Sequence, residues 1–196
     1  MNVYILLDRS GSMSTIWDEA IGSVNGYVSN LADPDTLVSF SVFDSVSYDT
    51  LRECKAMDWD IVNPTEASPR GSTPLMDAAM RTIALAEAAN ADRTIIVIMT
   101  DGHENASHEV TNTQIRKKIA AIEAKGWEVV FLGANFGNVT DSAVSNGGSF
   151  NKSINLAKGK MMEGMVGLST RSMLYAATGA SINYTTEDRA NLSVAK

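Results

Sequence analysis

Three side chains with oxygen atoms follow a short apolar run near the start of the chain. Residues 4–13 (YILLDRSGSM) are apolar for four positions and then place Asp8, Ser10 and Ser12 at alternate positions, with Gly11 between the serines. Glycine allows a tight backbone turn, so we expect both hydroxyls to point at one centre. Carboxylate and hydroxyl oxygens suit a hard cation such as Mg²⁺, which takes about six oxygen ligands and keeps some waters. These side chains supply only part of that shell.

Two later segments offer further oxygen ligands. Thr73 lies in the loop 71–74 (GSTP), ahead of a predicted helix, and Asp101 follows the apolar run 93–100 (RTIIVIMT). In open α/β sheets, ligands bind at the carboxyl ends of the strands where the strand order reverses. Asp8 and Asp101 each follow a predicted buried strand, so we expect them to meet at that edge.

Strand-like and helix-like segments alternate along the chain, which predicts an α/β fold with a mostly parallel central sheet and helices on both faces. Ser14 is expected to cap the first helix, and the second and third strands are expected to form an antiparallel hairpin joined at Asp44. At 196 residues, the whole chain, 1–196, is predicted to be one domain. Apolar residues at helical spacing predict helices at 14–31, 75–89, 113–125, 139–145 and 158–177. After a first strand that ends at Asp8, β-rich runs predict strands at 36–43, 45–51, 93–100, 127–132 and 149–154.

Composition and charge exclude several classes of function. The formal net charge of −7 repels phosphate backbones, and no stripe of Lys or Arg offsets it, so nucleic acid is a poor candidate partner. No apolar run approaches the roughly 18 residues that span a bilayer, and the chain does not start with the basic stretch of a secretory signal. One cysteine, Cys54, and two histidines do not build a usual structural zinc site. We therefore expect a cytoplasmic protein that binds neither membrane nor nucleic acid.

The pattern Asp8-x-Ser10-x-Ser12, followed by Thr73 and Asp101, resembles the metal-ion-dependent adhesion site of the von Willebrand factor A (VWA) domain. The order of elements is similar to that family over most of the chain. The resemblance implies a Rossmann-like, doubly wound sheet with one antiparallel edge strand and helices on both faces. It also implies that Ser10, Ser12 and Thr73 contact Mg²⁺, or Mn²⁺ or Ca²⁺, directly, whereas Asp8 and Asp101 act mostly through water. An Asp or Glu from a partner protein would then fill the open coordination position.

The residues and the resemblance together predict a non-enzymatic, divalent-metal-dependent protein-binding module. Stand-alone intracellular VWA proteins of bacteria and phages imply a partner such as an AAA+ ATPase or an assembly component, and hence a role as an adaptor or assembly factor. Arg9, Trp17, Arg70 and His103 are candidates for a rim that contacts the partner. The alternative for the first three is ordinary packing or solvation, and for His103 a polar loop tip.

Two other hypotheses use the same ion. The first is a metal-dependent phosphohydrolase or nuclease, including an aspartyl-phosphate mechanism that begins with an Asp at the end of the first strand. Phosphatases of the haloacid dehalogenase type usually place a second Asp two residues later, where this chain has Ser10, and need a Lys that the sequence does not locate. The only general base that stands out is His103. In the second hypothesis, the metal stabilises the loop without taking part in partner binding.

Overall fold

One six-stranded sheet runs through the computed structural model, which describes residues 1–31, 33–102, 104–134 and 148–193. The strands are β1 (Asn2–Asp8), β2 (Leu37–Phe43), β3 (Tyr48–Lys55), β4 (Thr94–Thr100), β5 (Glu128–Ala134) and β6 (Ser153–Leu156). The α-helices in the described residues are α1 (Trp17–Ser29), α2 (Leu75–Ala89), α3 (Asn112–Glu123), α4 (Met161–Thr178) and α5 (Thr186–Leu192).

The strand order is β3-β2-β1-β4-β5-β6. Every neighbouring pair is parallel except β2 and β3, which pair antiparallel at one edge of the sheet. The predicted α/β class, with a mostly parallel sheet and one antiparallel edge strand, is therefore confirmed. The chain winds from β1 to one side and returns to the other side at β4, so the strand order reverses between these two neighbours. The carboxyl ends of β1 and β4 lie side by side, which brings Asp8 close to Thr100 and Asp101.

The core lies in two layers, one on each face of the sheet. Along β1, Val3, Ile5 and Leu7 belong to one buried cluster, whereas Tyr4 and Leu6 belong to the other, as expected for alternating side chains. Buried residues of α1, α4 and α5 complete the first cluster, and those of α2 and α3 complete the second. Helices on both faces, as predicted, therefore hold the strand ends in place.

The start of α1 differs from the prediction. A 3₁₀ turn (Gly11–Thr15) follows the first loop, and α1 begins at Trp17 with no side chain capping it, so Ser14 is not the helix cap. The reason lies in Met13, which is fully buried and anchors the turn to the core. Gly11 also does not adopt a positive φ, whereas Gly71 does, with φ of 68°. The loop glycine that needs its conformational freedom is therefore Gly71.

The second half of the chain shows two further differences from the prediction. The predicted edge strand at 149–154 is a 3₁₀ turn (Phe150–Lys152) followed by β6. α5 was not predicted, although Thr185 and Asp188 form a capping box at its start. The predicted helix at 139–145 lies outside the described residues. Within the described residues, no helix is long and apolar enough to cross a membrane.

Two helical glycines should respond in opposite ways to alanine. A Cβ atom at Gly164 in α4 would lie 2.5 Å from Leu156 Cδ2, and Leu156 is fully buried, whereas a Cβ atom at Gly22 in α1 would meet nothing within 4 Å. We expect Gly164→Ala to lower the free energy of unfolding by about 1–3 kcal/mol through overpacking. Gly22→Ala should raise it by about 0.5–1 kcal/mol through helix propensity. Urea denaturation measures both, and equal stabilisation of the two variants would contradict the close packing of α4 on β6.

Candidate metal centre

Asp8 is the central carboxylate of the site. It ends β1 and is fully buried, and its Oδ1 accepts a hydrogen bond from the Ser10 backbone N–H at 2.7 Å. Its Oδ2 accepts one from the Thr100 hydroxyl, at the end of β4, at 2.6 Å. The carboxylate therefore ties the loop after β1 to the neighbouring strand end.

Two serine hydroxyls extend from Asp8 toward Asp101. Ser10 Oγ and Ser12 Oγ lie 3.1 Å apart, and the Ser12 hydroxyl donates to Asp101 Oδ1 at 2.7 Å. A hydroxyl has one proton to donate and two lone pairs to accept. Ser12 uses its proton on Asp101, so Ser10 donates to Ser12 and one lone pair of Ser12 remains available for a cation. Asp8, Ser10 and Ser12, at the end of β1 and in the loop after it, are thus connected to Asp101, which follows β4.

Thr73 is held beside that group by hydrogen bonds from both neighbouring loops. Its backbone N–H donates to Asn105 Oδ1 at 2.9 Å, and the Asn105 N–H donates to the Thr73 carbonyl at 3.2 Å. On the other side, the Gly11 N–H donates to the Gly71 carbonyl at 3.1 Å. The loop of residues 71–74, called the middle loop below, is therefore fastened to the loops after β1 and β4.

Oxygen atoms of Asp8, Ser12 and Thr73 face one small space beside Gly102. A methyl group added to Gly102 would lie 3.5 Å from Thr73 Oγ1, 3.9 Å from Ser12 Oγ and 4.0 Å from Asp8 Oδ2. Ser12 is exposed, so the space opens to solvent. All five predicted ligands, Asp8, Ser10, Ser12, Thr73 and Asp101, are thus brought together.

The donor set fits a hard divalent cation. Neighbouring oxygens in an octahedral Mg²⁺ shell lie about 3 Å apart, and the separation of the two serine hydroxyls, 3.1 Å, matches this spacing. The described residues contain no group of three or more His, Cys, Asp or Glu side chains that would hold a metal. A cation in this part of the chain therefore depends on hydroxyls, which Ser10, Ser12 and Thr73 supply.

The electrostatics of the site also favour a cation. Burial, with a smaller contribution from the nearby Asp101 carboxyl, raises the pKa of the Asp8 carboxyl to about 6, against the hydrogen bonds from Thr100 and Ser10. Burial likewise raises the pKa of Asp101, against its hydrogen bond from Ser12. Neither carboxylate is in an ion pair with a described basic residue. A bound dication would supply the missing positive charge.

Arg9 does not belong to the predicted partner-contact rim. It is 5% exposed, and its guanidinium forms ion pairs with Asp44 at 2.8 Å and Asp49 at 2.6 Å. Arg70 shares Asp44, at 2.9 Å, but its side chain is 50% exposed. The two arginines therefore join the loop after β1, the β2–β3 loop and the middle loop, and only Arg70 reaches the surface.

Trp17 is not at the predicted rim either. Trp17 is buried, and its indole N–H donates to the Pro64 carbonyl at 2.9 Å, so the side chain packs in the core beside the 3₁₀ turn at Pro64–Glu66. His103 lies outside the described residues. Of the rim candidates that the structure describes, Arg70 remains.

Three residues that support the site were not predicted from the sequence. Thr100 donates to Asp8, and Asn105 holds Thr73. Glu104 accepts the Met76 N–H of the first turn of α2 at 2.9 Å, which fastens the segment after β4 to that helix. The only available signal was position, because Thr100 is the polar end of an apolar strand and the other two follow Asp101 closely.

The sequence profile of the von Willebrand factor type A domain matches residues 2–153. The chain belongs to this family. Among solved structures, the VWA domain of the pili tip protein Mfa5 from Porphyromonas gingivalis has a TM-score of 0.71 at 10% identity, over 88% of this chain and 95% of that one. The pilus adhesin SpaC from Lactobacillus rhamnosus GG has a TM-score of 0.69 at 13% identity, over 90% of this chain and 31% of SpaC.

A third similar structure contains a metal. Proximal thread matrix protein 1 from the mussel byssus, with zinc in its metal-ion-dependent adhesion site (MIDAS) motif, has a TM-score of 0.64 at 15% identity, over 86% of this chain and 45% of that protein. At such identities the likeness is one of fold. This VWA chain also spans less than half of the mussel protein and about a third of SpaC. No curated protein sequence in the comparison matches it.

Proposed function

We propose that this VWA domain is a divalent-metal-dependent protein-binding module. Asp8, Ser10, Ser12, Thr73 and Asp101 would hold Mg²⁺, or Mn²⁺ or Ca²⁺, and an Asp or Glu of a partner protein would complete the shell. The observation that carries the proposal is the convergence of these side chains on a space open to solvent, with two buried carboxylates and no basic side chain paired to them among the described residues.

The chain's own residues divide the work at this site. Ser10, Ser12 and Thr73 are neutral and would contact the ion directly. Asp101 orients the Ser12 hydroxyl, Asp8 holds the Ser10 backbone, and both carboxylates would balance the charge. When bound, the ion supplies a charged position for an oxygen ligand from outside the chain. Because most direct ligands are neutral, the ion would keep much of its charge for the partner's carboxylate.

The geometry supports binding over nucleophilic catalysis. Asp8 would be the nucleophile of an aspartyl-phosphate enzyme, but it is fully buried and both its oxygens accept hydrogen bonds. A nucleophile needs an oxygen that can reach the phosphorus atom. SpaC is an adhesin, and the mussel protein holds zinc in its MIDAS motif, which supports the same class of function.

The partner and the location stay predictions. We propose an intracellular partner with an acidic side chain, such as an AAA+ ATPase or an assembly component. SpaC and Mfa5 are pilus proteins, so a secreted or surface location is the alternative to test. Cell fractionation without lysis measures this directly, and recovery outside the cell would contradict the adaptor role.

Affinity capture from native lysate tests the proposed function. Wild type, Asp8→Ala and Ser14→Ala are each used in Mg²⁺ and in EDTA. Ser14 is the matched control, because it is an exposed serine in the same turn. A partner retained by wild type and Ser14→Ala only in Mg²⁺, and lost by Asp8→Ala, is the expected result. Identical captured proteins in all lanes would reject the proposal, and phosphatase and nuclease assays on the same variants would follow.

A further inference from the structure

A groove of about 300 Å³ opens beside the candidate metal centre. Its walls are the segment 43–48 between β2 and β3, the first two turns of α2, and residues 106–109. Pro74 lines the groove and directly follows Thr73, and Ser45 is bonded to Ser72 through two hydrogen bonds of 3.0 Å. The groove is therefore continuous with the loop that carries a predicted metal ligand.

Two carboxylates in the groove wall are already satisfied. Asp44 forms ion pairs with Arg9 and Arg70. Asp77 accepts the backbone N–H groups of residues 108–110, at 2.8 to 3.4 Å. The two arginines balance the charge of Asp44, whereas Asp77 is held by hydrogen bonds alone and keeps its negative charge in the groove wall.

Arg81 is a cation in this groove whose charge is not paired within the described chain. Its guanidinium lies 4.4 Å from the centre of the Tyr48 ring, and the Tyr48 hydroxyl is 3.0 Å from Thr82 Oγ1, which fixes the ring. Stacking holds a guanidinium while leaving its N–H groups at the edge free to donate. Arg81 is thus positioned to bind a carboxylate.

Two other titratable side chains of the wall, His108 and Glu109, belong to the segment before α3, whose backbone is hydrogen-bonded to Asp77 of α2. Glu109 forms no ion pair with a described basic residue, so it repels a carboxylate that comes near it. The groove therefore attracts a carboxylate at Arg81 and repels one near Glu109 or Asp77. Such a pair selects where along a bound segment a negative charge is accepted.

We propose that this groove binds the segment of the partner adjacent to its metal-bound carboxylate, and that Arg81 binds a second carboxylate of that segment. The inference rests on the proposed function. Arg81 lies six residues after Leu75, the first residue of α2, which is about 9 Å along a helix axis. An extended peptide spans that distance in about three residues. For a segment that follows α2 from its first turn to Arg81, this length corresponds to two acidic residues three positions apart, and Val46, which lines the groove and is 69% exposed, offers it an apolar surface.

Two synthetic tetrapeptides test the proposal, both acetylated and amidated: Asp-Val-Ala-Glu and Asp-Val-Ala-Gln. Binding to ¹⁵N-labelled protein in saturating Mg²⁺ is followed by NMR titration. We expect the Glu peptide to bind wild type about three- to fivefold more tightly than the Gln peptide, the range of one exposed charge pair. Arg81→Gln should bring that ratio to about one while leaving the affinity for the Gln peptide unchanged.

Glu109 supplies the matched control, because its charge is opposite to that of Arg81. Glu109→Gln should raise the affinity for the Glu peptide, because it removes a repulsive carboxylate from the groove. An unchanged peptide ratio in Arg81→Gln, or equal binding of both peptides to wild type, would overturn the Arg81 inference and leave the metal contact standing. If neither peptide binds, and Mg²⁺ shifts no resonance of Asp8, Ser10, Ser12, Thr73 or Asp101, the proposed function fails and the inference fails with it.

Discussion

Saturating Mg²⁺ or Mn²⁺ is expected to stabilise the wild-type domain and to give Ser12→Ala no comparable gain. A ligand that binds only the folded state adds about 2.7 kcal/mol at one hundred times its dissociation constant. Ser12 Oγ lies 3.1 Å from Ser10 Oγ and donates to Asp101, so alanine removes one direct ligand and frees the carboxylate that the hydroxyl orients. The measurement is urea unfolding at a series of metal concentrations.

Ser14→Ala is the control for this series, since it removes an exposed hydroxyl from the same turn. Ser12→Ala also loses a hydrogen bond in the metal-free protein, worth about 1 kcal/mol, so the comparison is the gain on adding metal for each variant. A gain in Ser12→Ala as large as in wild type would remove Ser12 from the ligand set. Metal-dependent stability together with metal-independent capture would favour an ion that only stabilises the loop.

The convergence of the five predicted ligand residues was accessible from the sequence because the ends of buried parallel strands converge. The uninterrupted apolar run before Asp101 identifies a central strand, and the run before Asp8 identifies another. Reversal of strand order between them then places both ends at one edge, as the structure shows. Thr73 required more than local pattern, and it was predicted only because it completed a set.

The supports of the site were not accessible, because each depends on contacts between distant residues. Arg9, flanked by polar residues in a turn, is expected at the surface from sequence alone. It is buried because Asp44 and Asp49, from the β2–β3 hairpin, lie beside it. The end of β3 was missed for a related reason, since its polar residues 52–55 lie on an exposed edge strand without an apolar pattern.

Gly102→Ala is expected to leave the metal-free fold intact and to block the site. A methyl group at Gly102 would lie 3.5 to 4.0 Å from its nearest protein atoms, which is ordinary contact, and Gly102 is not among the residues with positive φ. Alanine should therefore change the free energy of unfolding without metal by less than about 1 kcal/mol. The nearest atoms, however, are Thr73 Oγ1, Ser12 Oγ and Asp8 Oδ2, so the methyl would occupy the space that these oxygens face.

Overpacking of that space costs about 1–3 kcal/mol, which corresponds to about a five- to 150-fold loss of metal affinity. Gly11→Ala is the matched control, because a methyl there would meet, apart from its two chain neighbours, only the Gly71 carbonyl, at 3.6 Å. Isothermal titration with Mn²⁺ compares the two variants with wild type. Retained affinity in Gly102→Ala would place the ion away from this space, whereas equal losses in both variants would indicate a general effect on the loops. Loss in Gly102→Ala alone would locate the ion between the middle loop and the loop after β1.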